Sequence, residues 1–312
     1  MLIFSRPLPA PPVPFEAFAP YQLTWTGWDG SVWNLSDWES GLFLDNRGIE
    51  GLHFPVLTKF SSTSRAVPGL RRRGWRAEER KVFWPLQVYA ESSKEWLASY
   101  RSFFKTIRPD QEGVWSCTVD GQTRTLRLTG TFTDSHAYEI DPLYEGWSPF
   151  GVRLEAAQPY WEGSPVTRGP WKGADPMDFY GESGAPEFHI SSSATIGNAS
   201  MTNPGDVAAY PVWTIDGELD DIAVGVGDLV IEPPDVDAGK RLVIDTDPRN
   251  ATALLGDIPA DGEEFEGVDV TQSLGFQRFS PIPPDQSVPL HVEGIGDGSV
   301  SCTLKPLYFT AF

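Results

Sequence analysis

The chain has 312 residues, with 24 Lys and Arg against 43 Asp and Glu and a formal net charge of −19. A single core stops growing near ~250–300 residues, so this length predicts two domains. The 30 Gly and 28 Pro are scattered without a period among 12 Trp and 18 Phe. That composition excludes collagen and disorder and suits many turns between short strands.

The charge is divided unevenly. Residues 1–165 hold 17 basic and 19 acidic side chains, and residues 166–312 hold 7 and 24. The acidic second half repels phosphate, which argues against sequence-specific nucleic-acid binding and is explained by solubility. Cys117 and Cys302 lie in opposite halves. They form no zinc or C-x-x-C spacing and leave either a single bridge or two free buried thiols, of which the second is favoured. No apolar run is long enough to span a membrane. Met1–Arg6, followed by Pro7, Pro9, Pro11, Pro12 and Pro14, lacks the basic lead-in and intact apolar stretch of a signal peptide, so folding in a cytoplasm is expected.

Residues 1–20 read as an extended Pro-rich lead segment that docks rather than folds alone. Leu23 and Trp25, then Val32, Trp33 and Leu35, flank Asp29-Gly30, a hairpin in which Gly supplies the positive φ. Gly51–Phe60 reads as a strand and Ser61–Gly74 as a polar loop ending in Arg71-Arg72-Arg73. Val82–Trp84 and Leu86–Tyr89 continue the β pattern. Pro85 between them predicts an edge strand or a bulge, because it cannot donate to a ladder.

One amphipathic helix is predicted from a cap at Ser92 or Ser93. Trp96, Leu97, Tyr100, Phe103, Phe104 and Ile107 recur at three- and four-residue spacing, and Pro109 ends it. This aromatic stripe reads as a core face. Lys105 and Arg108 sit where the helix dipole favours cations. Strands follow at Val114–Val119, after which Asp120-Gly121 turns the chain, and then at Thr123–Thr133 and Trp147–Ala156. Glu162–Pro165 reads as the domain boundary. Beyond it, strands at Pro211–Ile215, Ile222–Val226, Leu229–Glu232, Arg241–Asp245 and Val300–Pro306 have the spacing of a sandwich.

Chemistry is thinly represented. Asp141 and Glu145, beside Tyr144 and Trp147, imitate a glycosidase pair, for which a solvated loop is the plainer reading. Asp235-Val236-Asp237-Ala238-Gly239 resembles the start of a calcium loop but continues with Lys240-Arg241 where acidic ligands should follow. The acidic run Asp216, Glu218, Asp220 and Asp221 reads as a hairpin tip. His53, His136, His189 and His291 are too far apart for a metal spacing, and there is no Gly-x-Ser-x-Gly elbow, P-loop or dinucleotide fingerprint. No catalytic, cofactor-binding or metal residue is assigned. The candidate partner-contact residues are Arg71, Arg72, Arg73 and Trp75, in a basic cluster with Arg76, Arg80 and Lys81. Such a cluster could meet nucleic acid, pair with acidic residues of another subunit, or be merely solvated.

The order of three features carries a resemblance. The first is an N-terminal β pattern with the single helix, closing at Arg153–Trp161. The second is the Asn203-Pro204-Gly205 turn leading to Pro211 and Asp216-Gly217, and the third is Leu242–Thr246. In this order the chain resembles the distal tail protein family of long-tailed phages, the siphovirus-type tail components. The resemblance implies a mainly β fold, with a ring-forming N-terminal domain at 1–165 and an outward-pointing, galectin-like β-sandwich at 166–312. It further implies a non-enzymatic virion subunit at the tail tip, assembled in the host cytoplasm. Its partners would be copies of itself in a hexameric ring, the tail tube protein above, and the hub and receptor-binding parts below. The alternatives from other classes are a host-carbohydrate-binding tail module gripping glycan through exposed Trp171 and Trp213, and, last, a glycoside hydrolase.

Overall fold

The computed structural model describes residues 21–131, 141–172, 199–260, 262–275 and 278–312. The Pro-rich lead segment, His136 and His189 lie outside these residues.

Alternation of apolar and polar residues builds the first sheet. Its nine strands include, in spatial order, Val32–Asn34, Gln22–Thr26, Gly113–Val119, Gln122–Gly130, Trp147–Ala156, Arg80–Tyr89 and Leu42–Leu44. Along Arg80–Tyr89 every second residue from Arg80 to Val88 turns inward and is buried. The same period buries every second residue of Trp147–Ala156. The Asp120-Gly121 turn has both residues at positive φ (49° and 74°), the backbone a two-residue hairpin loop requires. Leu35 donates to Leu23 O and accepts from Leu44 N (2.8 Å each), joining the two ends of the sheet. Its folded-over faces meet in a run of tryptophans: Trp25 on Trp84 (5.2 Å between centroids), Trp84 on Trp115 (5.4 Å) and Trp115 on Trp161 (5.0 Å). All four are fully buried, each contributing about 1.5–3 kcal/mol by removal from water.

Pro85 stands on neither an edge strand nor a bulge. Arg80–Tyr89 pairs without interruption with Trp147–Ala156 on one side and with Leu42–Leu44 on the other. The Pro85 carbonyl accepts from Asp45 N (2.8 Å), so its ring nitrogen faces that second side, just where the three-residue strand has ended. The missing donor therefore has nothing to serve.

Ser92 caps the helix Ser93–Phe104, its hydroxyl accepting from Glu95 N. Trp96 and Phe103 are buried beneath it, and Trp96, Tyr100 and Phe104 gather round Phe150 with centroids 5.4–6.2 Å apart. The aromatic stripe is a core face.

The second half has its own core between two antiparallel sheets. One runs Val166–Lys172, Ser299–Leu304, Pro211–Asp216, Lys240–Asp245, Thr252–Asp257 and Val268–Asp269; the other runs Ser200–Thr202, Ser287–Ile295, Asp220–Val226 and Leu229–Ile231. Trp213, Ile215, Leu242 and Ile244 from the first meet Met201, Val224 and Val292 from the second, the arrangement of a β-sandwich. The chain is thus mainly β with two cores. Leu307–Tyr308 then returns to the first sheet to pair with Trp161–Glu162, and Ala311 joins the first core.

The turn at Asn203 and the strand end at Thr246 are each fixed by buried polar contacts. The Asn203 amide, fully buried, donates to Val207 O (2.8 Å) and Ile282 O (2.9 Å) and accepts from Gly205 N (2.9 Å). Thr246 Oγ1 donates to Pro211 O at 2.5 Å. Asp216 and Arg241 stand opposite each other and form a two-pronged ion pair at 2.6 and 2.9 Å. Both cysteines are free and buried.

Candidate assembly surface

One element belongs to neither core. Leu57–Ser64 and Val67–Ala77 form a two-stranded hairpin, an arm that among the described residues pairs only with itself. Ser61–Gly74 is therefore mostly strand and not a polar loop, and the strand expected from Gly51 begins at Leu57. Its tip is the two-residue turn Arg65-Ala66, with Ala66 N donating to Ser64 Oγ. The polarity of this segment hid its β character, because alternation marks a strand only where one face is buried. Here no described side chain is buried: Phe60 and Trp75 are about half exposed and Leu70 is 70% exposed.

Arg71, Arg72 and Arg73 lie on the second strand of the arm. Arg71 and Arg72 stand opposite Ser62 and Ser61, and Arg73 sits in a bulge where the register shifts, its Nε donating to Ser62 Oγ at 3.0 Å. A bulge twists the ribbon and re-aims the residue it inserts. From Leu57 to Ala77 the arm carries six basic residues and no acidic one. At its root Arg76 pairs with Glu78 (3.0 Å), and hydrogen bonds from Thr58 and Arg76 hold the Glu78 carboxyl below its ordinary range.

Arg80 leaves the basic cluster. It is 2% exposed and has become the knot beneath the arm. Its guanidinium donates to the carbonyls of Pro159 (2.6 Å), Gly51 (2.7 Å), His53 and Phe309 (2.8 Å). Burial without a facing carboxylate pulls it down to about 10. Trp75 is held at the same root, its ring 5.8 Å from Phe309, which also stacks on Phe54 at 5.3 Å. The role of Phe309 was not legible in sequence; it depends on the chain returning from the second core.

The remaining candidates do not assemble into chemistry. Asp141 is the N-cap of a short helix, Pro142–Glu145, accepting from Leu143 N. Asp235 accepts from Asp221 N. Among the described residues no three or more His, Cys, Asp and Glu come together as a cation cage, and no helix is long and apolar enough to cross a membrane. Trp213, expected to be exposed, is fully buried, because the period-two pattern of Pro211–Asp216 turns it inward. Trp171 is half-buried against the second core.

A cleft of about 560 Å³ separates Glu112, Arg127 and Glu162 of the first half from Asp245, Asp247, Arg249 and Lys305 of the second. It holds both signs of charge and no histidine or cysteine. Burial raises the Asp245 carboxyl, whereas at Asp247 the hydrogen bonds from Arg249 outweigh burial and lower it.

The fold as a whole matches solved structures. The SPP1 Dit protein, described as a paradigm of the hub adsorption apparatus of phages infecting Gram-positive bacteria, superposes with a TM-score of 0.58 at 11% identity, over 93% of this chain and 99% of that one. The chain has the fold of a phage Dit protein. A chain of the phage P2 baseplate in its activated conformation with Ca matches at TM-score 0.56 and 12% identity, covering 91% of this chain and 98% of that one. The same baseplate with Sr gives 0.54 and 12%, with the same coverage. No protein-family model and no curated protein sequence matches the chain.

Proposed function

We propose that the protein is a structural subunit of a long-tailed phage tail tip, a distal tail protein whose copies close into a ring. The observation that carries this reading is the arm. A two-stranded ribbon is marginal in water by itself, and this one has two open edges, uncovered apolar side chains and an unopposed row of arginines. Such a ribbon is stabilised by a neighbour that covers it. A head-to-tail contact of this kind closes into a ring when its rotation divides the circle.

In this reading residues 1–165 form the ring-building domain and Arg71, Arg72, Arg73 and Trp75 are partner contacts. Residues 166–312 form an outward, galectin-like acidic sandwich. The family resemblance read in the sequence implies six copies, with the tail tube on one side and the hub and receptor-binding parts on the other. It also supports a virion component with no catalytic role. Host glycan as a ligand of the sandwich loses one of its two expected platforms, because Trp213 is internal.

The test is the mass of the purified full chain in solution. A discrete closed oligomer that the triple substitution R71E/R72E/R73E converts to monomer is the expected result. A wild-type chain that stays monomeric at every concentration, up to that of assembled tails, sinks the proposal.

A further inference from the structure

We infer that the arm of one copy docks on a particular surface of the next: the aromatic, acid-rimmed end of the first sheet. This rests on the ring proposed above. Trp38, Tyr89, Leu143, Tyr144 and Trp147 are all exposed, Tyr144 by 88%, and backbone contacts gather them at one place. Tyr89 stands directly opposite Trp147 on neighbouring strands, so their side chains share a face. Tyr89 N donates to Gly41 O, three residues from Trp38, and Ala90 N donates to Gly146 O, between Tyr144 and Trp147. Ser93 Oγ donates to Leu143 O, tying the start of the long helix to the same corner.

Charge completes the match. The three segments that meet there, 37–41, 89–95 and 141–147, carry six exposed acidic residues and one base, Lys94. The arm carries six bases and no acid over Leu57–Ala77, with Leu70 exposed and Phe60 and Trp75 half exposed among them. Each surface offers apolar area inside a rim of one sign, and the signs are opposite.

Placement makes the contact intermolecular. The arm is rooted just before Arg80, where the strand Arg80–Tyr89 begins, and the acidic corner lies at Tyr89, where it ends. Ten residues of strand separate the two by about 30 Å. Two complementary surfaces at opposite ends of one rigid strand define a head-to-tail interface, whose repetition orders copies around a ring.

The experiment uses two charge-reversed full-length variants and a photo-cross-linker. R71E/R72E/R73E alters the arm and E91R/E145R alters the corner; all five side chains are exposed and outside both cores. Each variant alone is expected to raise the concentration for half-assembly by tenfold or more. Mixing the two is expected to restore assembly, because the reversed arm meets a reversed corner and each native arm a native corner. A photoreactive residue at Leu70 of the otherwise native chain is expected to cross-link to peptides carrying 37–41, 89–95 or 141–147 of another copy. An assembled ring whose Leu70 cross-links map elsewhere, or to a different tail protein, overturns this docking site and leaves the ring standing. Reversed variants that are both defective but fail to rescue each other do the same. A native chain that never assembles overturns the ring, and this inference with it.

Discussion

The guanidinium of Arg80 donates to the carbonyl oxygen of Phe309 at 2.8 Å, across 229 positions of sequence. This bond ties the root of the arm to the segment that returns from the second core. The other donors of the same side chain hold Gly51, His53 and Pro159. Methionine fills similar space but donates nothing, leaving four carbonyls without their charged partner. Arg80→Met is therefore expected to cost about 3–5 kcal/mol. A lower urea midpoint at unchanged slope is the measurement, joined by faster proteolysis at the base of the arm.

The Asn203 amide makes three buried hydrogen bonds. Its replacement by alanine is expected to cost about 2–4 kcal/mol. Aspartate there is worse at neutral pH, since a carboxylate would face two carbonyl oxygens. Those oxygens and burial raise its folded pKa. Stability of Asn203→Asp is then greatest at acid pH and is lost as pH rises through that pKa. Equal denaturation midpoints for this variant at pH 4 and pH 7 would contradict the assignment.

Gly205 allows the close approach of the returning strand. A Cβ built there would lie 2.7 Å from both the N and O of Leu307, backbone atoms that cannot swing aside. Gly205→Ala is expected to cost about 1–3 kcal/mol. Hydrogen exchange should rise at Leu307 and Tyr308 more than in the second core.

Burial raises the Asp245 carboxyl at the cleft. A carboxylate with a raised folded pKa binds more protons in the folded state, so its contribution is present at acid pH and lost as pH rises through that value. Asparagine can still accept from Asp247 N, which donates to Asp245 at 2.9 Å. Asp245→Asn is thus expected to gain melting temperature relative to the native chain at pH 7 and to gain little at pH 3. A larger gain at pH 3 would reverse the sign and refute it.

Capping of the helix at Ser92 is a local effect. Ser92→Ala should cost about 1 kcal/mol, read by chemical denaturation.

How much could be read in advance depended on whether a residue's role was set by its neighbours in sequence. The Asp120-Gly121 turn and the capped aromatic stripe are local, and the structure bears them out, with Ser92 rather than Ser93 as the cap; the helix ends at Phe104, and Ile107 is buried just beyond it. Trp147–Ala156 was legible to the residue because one of its faces is buried throughout. The arm was not: a ribbon exposed on both faces has no hydrophobic alternation, so Arg71–Arg73 read as a loop. Arg80, five residues from Trp75 in a strongly charged stretch, gave no sign that four carbonyls from distant segments would enclose it.

By itself, then, the sequence determined the β class, the one long helix, the two cores and the uneven division of charge, since period and turn chemistry act over a few residues. Tertiary structure alone decided that Trp213 faces inward, that Arg80 is a knot and that the chain end rejoins the first sheet. It alone left the arm bare at one end of a strand and an acidic aromatic corner at the other. Burial of a side chain depends on which distant segments meet, and only the folded chain brings those together.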